Sequence, residues 1–128
     1  MSTNPIKRYS VKEYFELEKK SEVRHEFVYG EIFAMGGASE RHNTIANNIN
    51  VRLWLQILGT TCRCYISDMR TRINEHLYCY PDVVIGCNIR LEIIDNLETL
   101  VNPILVVEVL SRSTARFDRD TKFREYQQ

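Results

Sequence analysis

One stretch of this chain constrains its fold more than any other, an apolar run over residues 104–110 that contains a single charged side chain. Apart from Glu108 its residues are isoleucine, leucine and valine, the composition of a strand buried on both faces. We therefore expect a central strand of a sheet, opened by Pro103. An ionised carboxylate inside such a strand is costly unless a cation or strong donors compensate it. Glu108 is thus a candidate functional residue; the alternatives are a buried ion pair or an exposed strand end.

A second carboxylate stands at the start of another short apolar strand. Asp82 follows Pro81 and precedes two valines and an isoleucine. If this strand runs antiparallel beside the first one, its start lies next to the other strand's end, and Asp82 meets Glu108 at one edge of the sheet. Two adjacent carboxylates repel each other unless a hard cation such as Mg²⁺ lies between them. The alternative for Asp82 is a turn residue after proline.

A lysine on the last predicted helix completes this set. Arg119, Lys122 and Tyr126 share one face of a helix predicted from about residue 114 to the end. This helix follows the Glu108 strand after a short turn, so Lys122 can fold back over the carboxylate edge. There it could position an attacking water or stabilise negative charge on a phosphate. The alternative is a solvated lysine paired with Asp118.

The remaining pattern predicts an α/β protein in which helices pack on the faces of a sheet. A first helix over residues 11 to about 20 begins with a capping box formed by Ser10 and Glu13. A second helix runs from about residue 40 to 58 with a core-facing stripe at Ile45, Ile49, Leu53 and Ile57. Short strands are expected in residues 26–35, 62–67, 69–73 and 81–85, whereas residues 86–102 give no clear signal.

Length and charge limit the class of protein. The chain has 128 residues, which fits one domain, and its 17 basic and 17 acidic side chains give zero net charge. This balance argues against a highly basic nucleic-acid coat protein, although a local basic cleft stays open. No apolar stretch could span a bilayer and no signal-peptide core precedes residue 10, so we expect a cytoplasmic protein with four reduced cysteines.

Together these residues resemble the Uma-two restriction endonuclease family of the PD-(D/E)XK nuclease superfamily. The resemblance covers nearly the whole chain from about Ser10. The segments that carry it are residues 80–85, 103–114, 118–119 and 122–126, together with the 25–32 hairpin, residues 34–36 and His42.

The resemblance implies a restriction-endonuclease-like fold, a central mixed sheet flanked by helices. It also implies cleavage of DNA phosphodiester bonds that depends on Mg²⁺ or Mn²⁺. Asp82 and Glu108 would be the metal-binding acidic pair, and Glu26 would be a further acidic ligand at the same edge. Lys122 would replace the lysine that the superfamily carries two residues after the glutamate, where this chain has Leu110. His42 would donate to a metal-bound water or a phosphate, with packing at the helix start as its alternative.

The family pattern usually continues with a strand pair, so we expect residues 1–128 to form a single nuclease domain that lacks its C-terminal strands. That expectation, together with Leu110, supports an alternative function. The chain would then be an inactive nuclease-fold module that binds nucleic acid or protein. A homodimer that buries the carboxylate edge would favour this alternative, whereas converging carboxylates would favour the enzyme.

Overall fold

The computed structural model describes residues 7–110, in which two helices and nine strands follow one another. The helices are α1 (Val11–Lys20) and α2 (Glu40–Ile57). The strands are β1 (His25–Val28), β2 (Glu31–Ala34), β3 (Cys62–Ile66), β4 (Thr71–Asn74), β5 (Leu77–Cys79), β6 (Val83–Cys87), β7 (Leu91–Ile94), β8 (Leu97–Leu100) and β9 (Pro103–Val107). The predicted helix that would carry Lys122 lies outside the described residues. Neither α1 nor α2 is long and apolar enough to cross a membrane.

Helix α1 begins where the capping box predicts. The Ser10 hydroxyl accepts from the Glu13 backbone N–H at 3.1 Å, and the Glu13 carboxylate accepts from the Ser10 N–H at 3.0 Å. These two bonds satisfy backbone donors that a helix start leaves without intrahelical partners. The buried face of the helix carries Tyr14, Phe15 and Glu18. A carboxylate therefore lies in the apolar face of this helix.

The larger sheet has six strands in the order β2-β1-β5-β4-β8-β7. It is mixed, because β4 and β8 run parallel while the other neighbours are antiparallel. Its core is an aromatic cluster in which Tyr14 and Phe15 of α1 pack against Phe27 and Tyr78, with ring centroids 5.4 to 6.2 Å apart. Edge-on and tilted ring pairs at these distances are favourable beyond the area they bury. This cluster fixes α1 on the sheet.

Two tight hairpins build the ends of this sheet. Tyr29 and Gly30 join β1 to β2, and Asp95 and Asn96 join β7 to β8, all four with positive φ. Two consecutive positive φ values are the requirement of the hairpin turn whose twist matches that of paired strands. The β7–β8 hairpin lies in residues 86–102, which the sequence left as a connection of uncertain structure. That interpretation overlooked the Asp-Asn turn signal.

The smaller sheet is antiparallel, with the order β3-β6-β9. The Asp82 and Glu108 strands are antiparallel neighbours, which is the condition for their carboxylates to meet at one edge, but the Glu108 strand is not buried on both faces as expected. Among the described residues β6 has a partner on each side, whereas β9 pairs only with β6. Accordingly Val83 and Val84 are fully buried, while Ile104 is 67% exposed. The apolar run predicted a strand buried on both faces, but the strand that it forms is partly exposed.

Helix α2 packs on the smaller sheet, against β3 and β6. It starts after Ser39, whose hydroxyl accepts from the His42 N–H at 3.1 Å. The predicted core stripe is only partly correct. Ile49, Leu53 and Ile57 are half-buried, but Ile45 is exposed. A three-stranded sheet is too narrow to cover the full length of an 18-residue helix.

Two of the four cysteines differ from the expectation of reduced thiols. Cys62 and Cys87 are direct partners across β3 and β6, and they form a disulfide. The Cys64 thiol donates to the Asn50 side-chain oxygen at 3.1 Å, and Cys79 is a fully buried thiol. Direct pairing across two strands brings two side chains close together, and strand register could not be known from the sequence.

Candidate active site

Asp82 and Glu108 lie at the same end of the smaller sheet. The antiparallel register of β6 and β9 pairs Val83 with Val107. Asp82 is the residue before Val83 and Glu108 the residue after Val107, so the two carboxylates leave adjacent strands at one edge. The Glu108 side chain is half-buried. The strand arrangement that the sequence analysis required for an acidic pair is therefore present.

The Asp82 carboxylate has two donors. Its Oδ2 accepts from the Val109 backbone N–H at 2.6 Å, and it lies 3.2 Å from Nε2 of His42. The Asp82 and His42 side chains are only 14% and 16% exposed. Two donors that contact the same oxygen of a shielded carboxylate hold Asp82 in one orientation.

His42 reaches Asp82 from the first turn of α2. Because Nε2 faces a carboxylate, the geometry assigns the ring proton to this nitrogen. The other nitrogen, Nδ1, is buried and has no hydrogen-bond partner among residues 7–110. A ring anchored on its Nε2 side and shielded on its Nδ1 side is suited to hold Asp82 in place.

Glu26 approaches the same segment from the larger sheet. It is buried on β1, and its Oε2 accepts from the backbone N–H of Tyr80 at 3.4 Å. Tyr80 and the fully buried Pro81 directly precede Asp82. The structure thus brings Glu26, His42 and Asp82 to one short segment, residues 80–82, at the meeting point of the two sheets.

Two features of the expected site are not seen in this part of the chain. In residues 7–110 no three His, Cys, Asp or Glu side chains lie close enough together to hold one metal ion. Lys122 lies outside the described residues. The acidic side chains therefore share an edge and a segment, but they are not gathered around a single point.

Next to this segment lies a buried polar cluster that the sequence analysis missed, which we call the Tyr80 cluster. It consists of Glu18, His25, Arg70, Tyr80 and Thr99, from five different parts of the chain. The His25 side chain is only 15% exposed. A usable signal was present at Glu18, which shares the apolar face of α1 with Tyr14 and Phe15. Like Glu108, Glu18 is a carboxylate among apolar residues, and burying such a group is costly unless strong donors compensate it.

The hydroxyl of Tyr80 is the centre of this cluster. It donates to Oε2 of Glu18 at 2.6 Å and accepts from the Arg70 guanidinium at 3.2 Å. The other oxygen of Glu18 lies 2.7 Å from Nδ1 of His25, and Nε of Arg70 donates to the Thr99 hydroxyl at 2.9 Å. Burial, reinforced by donation to Glu18, raises the pKa of Tyr80 to about 12, so its hydroxyl stays protonated.

The face of the Tyr80 ring is also covered. The guanidinium of Arg24 lies 5.2 Å from the ring centroid, and the same group pairs with Asp68 at 2.7 Å and with the Ser67 carbonyl. A guanidinium over an aromatic ring is an attractive cation–π arrangement. Ring and hydroxyl of Tyr80 are therefore held by separate contacts.

Comparison with known proteins supports a nuclease-like fold. A structural relative is the crystal structure of "a putative nuclease belonging to DUF820" from Anabaena variabilis, with a TM-score of 0.70 and 16% identity. The match covers 95% of this chain and 68% of that one. At this identity the likeness shows the fold, a mixed sheet with helices of the restriction-endonuclease-like type.

Sequence relatives occur in the cyanobacterium Synechocystis. Two uncharacterized proteins are 36% identical over 123 residues and 39% identical over 116 residues. These matches cover 95% and 89% of this chain but 64% and 65% of the relatives, so the chain spans slightly less than two thirds of their length. The family model Uma2, described as "Putative restriction endonuclease", matches residues 11–128. The resemblance found in the sequence is thereby confirmed, and the chain belongs to the Uma2 family.

Proposed function

We propose that this chain is an endonuclease that hydrolyses DNA phosphodiester bonds with the help of Mg²⁺ or Mn²⁺. The observation that carries the proposal is the β6–β9 pairing, which puts Asp82 and Glu108 on adjacent strands at one edge. Glu26 and His42 reach the same place from other elements. Membership of the Uma2 family agrees with a nuclease, while the metal and the DNA substrate are our inference.

The donors at this edge suit a hard divalent cation. Mg²⁺ prefers oxygen ligands and is commonly held by only one or two carboxylates, with waters and substrate phosphates filling the other positions. Asp82 and Glu108 would supply these carboxylates and Glu26 would supply a third from the other sheet. A cluster of three protein ligands around one point is therefore not required. When bound, such an ion neutralises charge on a phosphate and lowers the pKa of a water molecule.

Each proposed residue has a separate task. Both donors of Asp82 contact Oδ2, so Oδ1 is the oxygen that we assign to the cation. His42 is a positioning residue, because its Nε2 fixes the Asp82 carboxylate while its Nδ1 is shielded. Lys122 would bind the phosphate and stabilise the charge that develops during cleavage.

The charge distribution along the chain agrees with this division. Residues 1–111 carry 12 basic and 14 acidic side chains, whereas residues 112–128 carry 5 basic and 3 acidic ones. An acidic centre for the cation and a basic segment for the phosphates are what cleavage of a polyanion needs. The overall neutrality of the chain conceals this difference.

The test combines cleavage with metal binding. Purified protein is incubated with supercoiled, linear and single-stranded DNA in Mg²⁺, Mn²⁺ or EDTA, and Mn²⁺ affinity is measured by calorimetry. We expect cleavage only with metal, and a loss of about 100-fold or more in Asp82→Asn and Glu108→Gln. Glu75→Gln is the control, since Glu75 is exposed and pairs with its neighbour His76. Absence of both cleavage and Mn²⁺ binding in the wild type would refute the proposal.

A second function has one observation in its favour. Because His42 and Val109 already occupy Oδ2 of Asp82, and residues 7–110 contain no three-ligand group, the fold could serve as an inactive module that binds nucleic acid or protein. This alternative predicts DNA binding with equal affinity in EDTA and in Mn²⁺, unchanged by Asp82→Asn. It also allows a homodimer, which analytical ultracentrifugation would detect.

A further inference from the structure

The proposed reaction makes no use of the Tyr80 cluster, which contains three of the buried polar or charged side chains, Glu18, Arg70 and Thr99. Glu18 and Arg70 are both charged residues and both are buried. Burying such charges costs several kcal/mol per ion, and well-packed apolar residues are often as stable or more stable in their place. Stability alone is therefore a weak explanation for the cluster.

The backbone of Tyr80 connects the cluster to Glu26 and Asp82, two carboxylates of the candidate site. The hydroxyl of Tyr80 is fixed between Glu18 and Arg70, while its backbone N–H donates to Oε2 of Glu26. Two residues further on, the same backbone carries Asp82, with the buried Pro81 between them. Proline restricts the backbone on both sides of its peptide bond, so little freedom is left between Tyr80 and Asp82.

From this arrangement we infer that Tyr80 is a positioning residue: its hydroxyl, held between Glu18 and Arg70, fixes the backbone of residues 80–82 and so sets the places of Glu26 and Asp82. The inference rests on the proposed function, because it assigns these two carboxylates to the cation. Its structural part, that the hydroxyl of Tyr80 controls the position of Asp82, can be measured without metal or DNA.

The Tyr80→Phe variant isolates the contribution of the hydroxyl. Phenylalanine keeps the ring and therefore its contact with Arg24, and it removes the interactions of the hydroxyl with Glu18, Arg70 and Tyr14. Tyr78→Phe is the matched control. Tyr78 is equally buried and its hydroxyl contacts Arg72 on β4, away from residues 80–82.

The decisive reading is hydrogen exchange at the Val109 amide, which donates to Asp82 at 2.6 Å. We expect Tyr80→Phe to raise the exchange rate of this amide about tenfold, which brings it closer to the rate in Asp82→Ala. Exchange at the Val84 amide in the middle of β6 reports global stability. Tyr78→Phe should raise the exchange rates at Val109 and Val84 only as far as its effect on global stability requires. Unchanged relative protection of Val109 in Tyr80→Phe would overturn the inference.

Calorimetry with Mn²⁺ adds the functional half of the test. In a wild type that binds Mn²⁺, we expect Tyr80→Phe to weaken binding about fivefold or more and Tyr78→Phe to leave it unchanged. Equal affinity in wild type and Tyr80→Phe would also overturn the inference. A wild type that binds no Mn²⁺ and cleaves no DNA would refute the proposed function instead, and the Val109 amide would still decide whether Tyr80 positions Asp82.

Discussion

Replacing Glu18 by glutamine tests whether the Tyr80 cluster is a network held by charge. Each oxygen of Glu18 has a short contact, 2.6 Å from the Tyr80 hydroxyl and 2.7 Å from Nδ1 of His25. Hydrogen bonds to a charged group contribute about 1.5–3 kcal/mol each, and neutral ones about 1 kcal/mol. Glutamine keeps the shape and one carbonyl acceptor, so we expect the free energy of unfolding to fall by about 2–4 kcal/mol.

This loss is large enough to measure in two ways. With an unfolding entropy of about 2.1 cal/mol/K per residue, a 128-residue chain should melt roughly 7–15 °C lower. Urea unfolding followed by far-UV circular dichroism gives the free energy directly. Glu16→Gln is the control, since Glu16 is exposed on the same helix and the two residue types have similar helix propensities.

A double mutant shows whether the effect passes through Tyr80. Glu18→Gln and Tyr80→Phe both remove the bond between the Glu18 carboxylate and the Tyr80 hydroxyl. The loss of unfolding free energy in the double variant should therefore be smaller than the sum of the two single losses, by about 1 kcal/mol or more. A Glu18→Gln variant within about 0.5 kcal/mol of the wild type, the usual range for surface substitutions, would refute this reasoning. Strict additivity in the double variant would refute the coupling.

Two further predictions concern stability. Burial raises the pKa of Tyr80 to about 12 and also raises that of Tyr14, so both hydroxyls lose their protons at lower pH in the unfolded chain than in the folded one. The free energy of unfolding, measured with urea, should be at its full value below about pH 10 and lower by about 1 kcal/mol or more at pH 11. Equal values at the two pH values would contradict the burial of these hydroxyls. Asn102→Ala should cost about 2–3 kcal/mol, because this side chain accepts from the Arg90 N–H and donates to the carbonyls of Cys87 and Asn88; an unchanged melting temperature would show that water replaces these bonds.

The sequence was most informative where local chemistry determines structure. The capping box of α1, strand structure within residues 26–35 and the long helix from about residue 40 were all predicted, because caps and periodicity act over a few residues. The antiparallel pairing of the Asp82 and Glu108 strands entered as the condition under which the two carboxylates would meet, and the structure fulfils that condition. The family resemblance then supplied the fold.

The errors came from contacts between distant segments. Cys62 and Cys87 are 25 residues apart, and only the register of β3 and β6 makes them partners. The contact between Glu18 and His25 joins a helix to a strand, a relation that no spacing rule contains. Strand β9 was expected to be buried on both faces, but apolar composition alone does not determine burial, and Ile104 is 67% exposed.

The disulfide and the pairing of β6 have a joint consequence for strand register. A slip of one residue between two strands turns every side chain to the opposite face of the sheet. The covalent bond between Cys62 and Cys87 prevents such a slip of β3 against β6 at the end opposite Asp82. The β6–β9 ladder has no such bond in the described residues and contains an irregularity at Ile85 and Gly86. Any adjustment of the distance between Asp82 and Glu108 should therefore come from movement of β9, with β6 as the fixed reference.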